Sequence, residues 1–230
     1  MVRSVIRLVL ALGCLVAMAA PGAAQHAPQG ERRGLPGQFD FYVLSLSWAP
    51  SFCAATAERT RDRYSRHSRR ECGAHDYAFI VHGLWPQEEK GFPENCQVPA
   101  PRLNRAIVGS MLDLMPAPRL VFDEWDRHGT CSGLSPRNFF DTLRRARASV
   151  QIPPAYLDLH QPLSVAPAAV KDAFIKANPG LAPEDFAVIC DAELLTEVRL
   201  CLSKELKFRT CPEVVAHSCR RVQVLMPPLH

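Results

Sequence analysis

Two short runs hold the residue types from which a reaction could be built. His82 opens HGLWP (82–86), and Glu124, Arg127 and His128 fall within EWDRHGTC (124–131). Positions three and four apart on a helix share a face, so the second run would present a carboxylate, a guanidinium and an imidazole together. Two imidazoles, one carboxylate and one fixed cation match what metal-free cleavage of an RNA phosphodiester requires. A neutral histidine takes the proton from the ribose 2′-hydroxyl, and a protonated one gives a proton to the departing 5′-oxygen. Histidine serves both roles because its reference pKa of about 6.5 keeps both forms accessible near neutrality. The arginine offsets charge that grows on the phosphoryl oxygens.

Plainer readings compete with this one. Taken alone, EWDRHGTC is also a solvated helix end that Gly129 terminates, and His82 alone is more often a hydrogen-bonded structural histidine. His82, Glu124 and His128 could also serve as zinc ligands, but they lack the HExxH spacing of zinc peptidases. Cys131 as a nucleophile would need a free thiol. A secreted binding protein with a vestigial site is a further alternative, which the loss of either histidine would have favoured.

The elements that must carry these residues are legible in outline. FDFYVLSLSW (39–48) alternates Tyr42, Leu44, Leu46 and Trp48 on one face, as a strand does, and Pro50 ends it. DYAFIVHGLWP (76–86) reads as a second strand that delivers His82 at its end and breaks at Gly83 and Pro86. The spacing of Leu103, Ile107, Met111, Leu114 and Met115 predicts a helix over 102–115. Ser135 and Pro136, a cap followed by proline at the first helical position, open another helix that buries Phe139, Phe140 and Leu143. A further helix spans Ala168–Ala177. FAVICD and LLTEVRLCLS are strand-like, with Thr196, Val198, Leu200 and Leu202 on one face. Strands flank a block of helices without βαβ alternation, so the expected fold is α+β, a mostly antiparallel central sheet with packed helices.

The leader bounds the compartment. Arg3 and Arg7 precede the apolar run VLALGCLVAMAA and then PGAAQ, a secretory signal expected to be cleaved near Ala24. Its removal lowers the net charge from +4 to +2, so bulk charge says little about partners. Residues 25–37 read as a flexible leader and 38–230 as a single catalytic domain. Glu58 to Glu71 holds six arginines and three acids and reads as a solvated loop. Of the nine cysteines, eight lie beyond the signal, none in a CxxC pair, which points to disulfides in an oxidising compartment. Counting leaves about a hundred pairings open.

HGLWP and EWDRHGTC in this order resemble the two active-site signatures of the ribonuclease T2 family of exported acid ribonucleases. FDFYVLSLSWAPSFC and TEVRLCLSK are similar to that family too, so the resemblance spans about residues 39–219. Together with the secretory signal, the arrangement is similar to that of the periplasmic bacterial members. The resemblance implies an α+β, disulfide-stapled fold, His128 as general base, His82 as general acid, Glu124 and Arg127 as stabilisers of the phosphorane, and Trp85 in the nucleotide site. It implies bridges Cys53–Cys72, Cys96–Cys131, Cys190–Cys219 and Cys201–Cys211. It also implies an RNA substrate, no metal or cofactor, and base-site residues in loops around Gln87–Pro101. DNA, for want of a 2′-hydroxyl, is not expected to be cleaved; the signal points to a periplasmic or extracellular protein with no membrane attachment after cleavage, and the expected state is a monomer, since nothing in the sequence suggests an obligate dimer. Two positions depart from the family pattern. Arg127 stands where lysine is usual, a planar fork in place of a compact ammonium. Asp123 stands where some relatives have a histidine, and either faces and repels the substrate phosphate or turns outward.

Overall fold

Phe41–Trp48 forms strand β1, and the chain turns at once into helix α1, Ala49–Arg59, with Pro50 in its first turn where no backbone donor is lost. There follow β2 (Phe79–Gln87), α2 (Arg105–Gly109), α3 (Pro118–Arg127), α4 (Pro136–Ala148), β3 (Leu163–Val165), α5 (Pro167–Ala177), β4 (Phe186–Asp191), β5 (Leu194–Leu202), α6 (Pro212–Ala216) and β6 (Val224–Met226). This computed structural model describes residues 34–59, 72 and 77–229. The expected signal, most of the expected leader and most of the arginine-rich stretch lie outside the described residues.

The strands form one sheet in the order β2-β1-β5-β6-β3, with β4 also paired to β5. Neighbours are antiparallel except β5 and β6, which run parallel. The fold is therefore α+β with a mostly antiparallel sheet, as its pattern predicts. Tyr42, Leu44, Leu46 and Trp48 of β1 and Val198, Leu200 and Leu202 of β5 share one face, which packs against Trp125, Phe139, Phe140, Leu143 and Phe174 from the helices. Burial of such side chains is the main favourable term for the fold. β1 was expected to have one apolar face, but both are buried. It lies between β2 and β5, and on its second side Phe41 and Val43 pack with the Cys201–Cys211 bridge, Trp85, Val214 and Val215.

Three other elements differ from expectation. The helix expected over 102–115 is confined to Arg105–Gly109 and continues as turns. The apolar spacing persists, with Ile107, Met111 and Met115 all buried, but Ile107, Val108 and Gly109 are weak helix formers, so packing holds this segment. β2 does not break at Gly83; it runs on to Gln87. Gly129 does not end α3. His128 caps it, Gly129–Ser132 forms a 3-10 turn, and Gly133, at a φ of 72°, makes the left-handed exit.

The disulfides join Cys53 to Cys72, Cys96 to Cys131, Cys190 to Cys219 and Cys201 to Cys211. Cys131 is thus bonded, which removes it as a nucleophile. Gly129 is required for contact: a Cβ there would overlap the Trp125 ring and press on Phe139, both rigid and fully packed. Gly129→Ala should cost about 1–3 kcal/mol of stability through overpacking. A lowered urea midpoint with an unchanged far-UV circular dichroism spectrum would be the expected result.

Candidate active site

The face of the sheet opposite the main core carries the site. Opposite β1, the register pairs Ser45 with Gly83 and Leu46 with Val81, so His82 is the extra residue of a β-bulge rather than the last residue of a strand. The bulge changes the parity of β2. Val81 and Leu84 both enter the main core, while His82 and Trp85, also three apart, both line the cavity on the other side. On this face β1 contributes Val43, Ser45 and Ser47, and β5 contributes Glu197 and Arg199. α3 approaches from the side with Glu124 and Arg127, and His128 at its cap.

Of these, Val43, His82, Trp85, Glu124, Arg127, His128 and Arg199 line a cavity of about 420 Å³, with Glu197 behind His82. Trp85 lies between the histidines, its ring centroid 5.3 Å from each. Its indole Nε1 donates to Glu124 Oε2 at 2.6 Å, and Glu124 Oε1 stands 3.5 Å from His82 Nε2. The other ring nitrogen of His82, Nδ1, is 2.6 Å from Glu197 Oε1. Arg199 donates from Nε and Nη2, each at 2.7 Å, to Glu197 Oε2, and its guanidinium stands 5.0 Å over the Trp85 ring. Arg127 pairs with Glu94, Nε to Oε1 at 2.6 Å, at the cavity's edge. Gln87, Phe92 and Glu94 line the same space, so part of the loop region expected to contact bases borders it.

Electrostatics divide the two histidines. Burial works against charge on His82, but the Glu197 hydrogen bond and the charges of Glu124 and Glu197 outweigh it and raise its pKa above the usual histidine value. His128 has no such carboxylate. Burial, with the charges of Arg127 and His82, lowers its pKa to about 3, and its Nδ1 meets no hydrogen-bond partner among the described residues. The carboxylates diverge as well. Burial pushes Glu124 up to about 7 against the opposing pull of His82 and Trp85. Burial would also raise Glu197, but its bond to His82 and the charges of His82 and Arg199 hold it at about 2.

His82, Trp85, Glu124, Arg127 and His128 therefore all line one cavity. Asp123 does not; it is exposed and pairs with Arg119 at 2.8 Å along the outer side of α3. Glu197 and Arg199 are the site residues that the sequence reading passed over. Their signal was two charges at alternate positions of an otherwise apolar strand, where a central strand has no solvent to receive them. Among the described residues no group of three His, Cys, Asp or Glu side chains is placed to hold a metal ion.

A mostly antiparallel sheet flanked by helices defines a class of fold seen in solved ribonuclease structures. An RNase-related protein from Calystegia sepium superposes with a TM-score of 0.66 at 17% identity, covering 84% of this chain and 98% of that one. Trichomaglin, described as an S-like ribonuclease, superposes with a TM-score of 0.65 at 20% identity, covering 84% and 100%. The chain belongs to the Ribonuclease T2 family, whose family model matches residues 39–211. A ribonuclease of Aeromonas hydrophila is 37% identical over 133 residues, 58% of this chain and 54% of that protein. A probable ribonuclease of Haemophilus influenzae is 33% identical over 107 residues, 44% and 39%. The chain thus spans about half or less of the length of these two relatives.

Two substitutions test the geometry. A Cβ at Gly83 would overlap Glu124 Oε2 and Trp85 Nε1. Gly83→Ala should therefore part the indole from the carboxylate and lower kcat on RNA at least about tenfold, the scale of a displaced catalytic group. Asp123→Asn, facing solvent, should leave both kcat and KM unchanged in the same assay.

Proposed function

We propose that the chain is an exported endoribonuclease that cleaves single-stranded RNA by metal-independent transphosphorylation. The observation that carries this reading is the pair of histidines in one cavity, one held towards its charged form and the other towards its neutral form. His128, neutral, takes the proton of the ribose 2′-hydroxyl as that oxygen bonds to phosphorus. His82, protonated, delivers a proton to the 5′-oxygen as its bond to phosphorus breaks. The products are a 2′,3′-cyclic phosphate and a free 5′-hydroxyl. Hydrolysis of the ring, with water as nucleophile and the two roles exchanged, then gives a 3′-phosphate.

Arg127 and Glu124 flank the phosphorane, with Arg127 offsetting the charge that grows on its oxygens. Trp85 and the exposed Phe92 offer stacking surfaces that accept any base, which supports low base specificity. The reaction needs no cofactor. DNA, lacking the 2′-hydroxyl, is not a substrate. The chain is read as a monomer acting in the periplasm or outside the cell, with residues 1–24 as a cleaved signal, 25–37 as a leader and 38–230 as the catalytic domain. Among the described residues no helix is long and apolar enough to cross a membrane.

The sign of the pH dependence follows from the two histidines. Activity requires His128 deprotonated, so the acid limb lies below the usual histidine value, and His82 protonated, so the alkaline limb lies above it. The protein should degrade RNA in EDTA, leave DNA intact and give 2′,3′-cyclic ends detectable by mass spectrometry, with a broad bell-shaped profile reaching into acid. His82→Ala and His128→Ala should each lose about 10²-fold or more. Full rate in His128→Ala would reject the mechanism.

A further inference from the structure

We propose that Glu197 is a positioning residue for His82, fixing which ring nitrogen faces the substrate, with Arg199 as its anchor. This rests on the reading of His82 as the general acid.

The argument begins with reach. Glu197 and His82 belong to strands on opposite sides of β1, two inter-strand spacings or about 10 Å apart at the backbone. Their side chains meet because the residues between them are small. Ser47 pairs with Glu197 on one side and Ile80 on the other, while Ser45 pairs with Arg199 and Gly83. The bulge at His82 supplies the rest of the approach. Ser47 Oγ also lies 3.5 Å from Glu197 Oε1.

Next comes the direction of the hydrogen bond. Glu197 is held ionised by His82 and the two-pronged Arg199 contact, so it can only accept. His82 Nδ1 must therefore be the donor, which leaves Nε2 directed at Glu124 and the cavity. The charged and titratable groups around His82 are Glu124, Arg127 and His128 from α3 and its cap, and Glu197 and Arg199 from β5, with Glu94 from the loop after β2 and Glu213 and His217 from α6 and its end lining the same cavity. Of the two carboxylates, Glu197 makes the short contact and faces away from the substrate side. An acid that orients an imidazole and fixes its tautomer without itself exchanging the proton is a known arrangement in hydrolases.

The consequence covers both halves of the reaction. In transphosphorylation the Nε2 proton passes to the departing 5′-oxygen, and Nδ1–H stays on Glu197. The neutral ring then has its lone pair on Nε2, already aimed at the site. In hydrolysis of the cyclic phosphate that same nitrogen takes the proton of the attacking water. Without Glu197 the neutral ring would be free to hold its proton on Nε2, the wrong tautomer for the second half.

The test uses the full mature protein with Glu197→Gln, a near-isosteric change, and two uridine 3′-phosphodiesters, one with a nucleoside and one with a 4-nitrophenyl leaving group. The second leaving group needs little protonation. Glu197→Gln should lower kcat on the dinucleotide about tenfold or more, leave KM within about twofold, and lose much less on the nitrophenyl ester. Its alkaline limb should move to lower pH while the acid limb stays, a change that a purely structural role would not produce. Nitrogen-15 NMR of His82 in the unmodified protein should show the neutral ring protonated on Nδ1, and this readout does not depend on how the variant folds. Equal loss on both substrates, an unmoved alkaline limb, or a neutral ring protonated on Nε2 would each overturn the inference. His82→Ala is the control. If its loss does not depend on the leaving group, the general-acid reading itself fails. If its loss does depend on the leaving group while that of Glu197→Gln does not, only the role of Glu197 fails.

Discussion

The site depends on keeping one imidazole charged and another neutral on either side of a single indole. His128 is buried and His82 half-buried, and loss of solvent by itself drives both towards neutrality. The asymmetry comes from carboxylates. His82 faces two of them, one anchored by Arg199, while His128 faces cations and the Trp85 ring. Much of the architecture answers this requirement: the bulge that swings His82 across β1, the serines that make room for it, and the helix end that presents His128.

Holding the two halves together falls to covalent and steric devices close to the cavity. Cys131, three residues past His128, is bonded to Cys96 in the loop that follows β2, and Asn95 in that loop donates its backbone N–H to the Arg127 carbonyl. Cys201 on β5 is bonded to Cys211 at the start of α6, whose residues line the opposite rim. Gly83 lets Glu124 and Trp85 lie directly against β2, and Gly129 lets the 3-10 turn seat on Trp125. The first contact brings α3 close to the sheet, and the second fixes how the segment after His128 leaves the helix.

What could be read from the sequence divides along physical lines. Apolar alternation located β1, β4 and β5, and the Ser135-Pro136 cap located the start of α4, because these signals are local. The cluster of Glu124, Arg127 and His128 followed from helical spacing in the same way. Other features escaped, the short elements α6, β3 and β6 and helix α1 among them. The bulge at His82 is a relation between two strands, so β2 looked as if it should stop at Gly83. Helix α2 was expected to be longer because its apolar spacing is helical while its residues are poor helix formers. Glu197 and Arg199 lie 115 and 117 positions beyond His82, and no local pattern links residues that pairing across β1 brings together. The outward turn of Asp123 was one of two options, settled by its neighbour Arg119 one helical turn away.

The bulge has a consequence for how this chain can vary. A strand exchanges faces at every residue, so a single inserted or deleted residue between Val81 and Trp85 would send either the imidazole or the indole into the apolar interior. Substitution at a loop of this protein changes a contact; a one-residue indel here would reassign which side of the sheet is chemistry and which is core. HGLWP is in that sense a measured length as much as a composition, and drift in this segment can proceed by replacement but not by slippage.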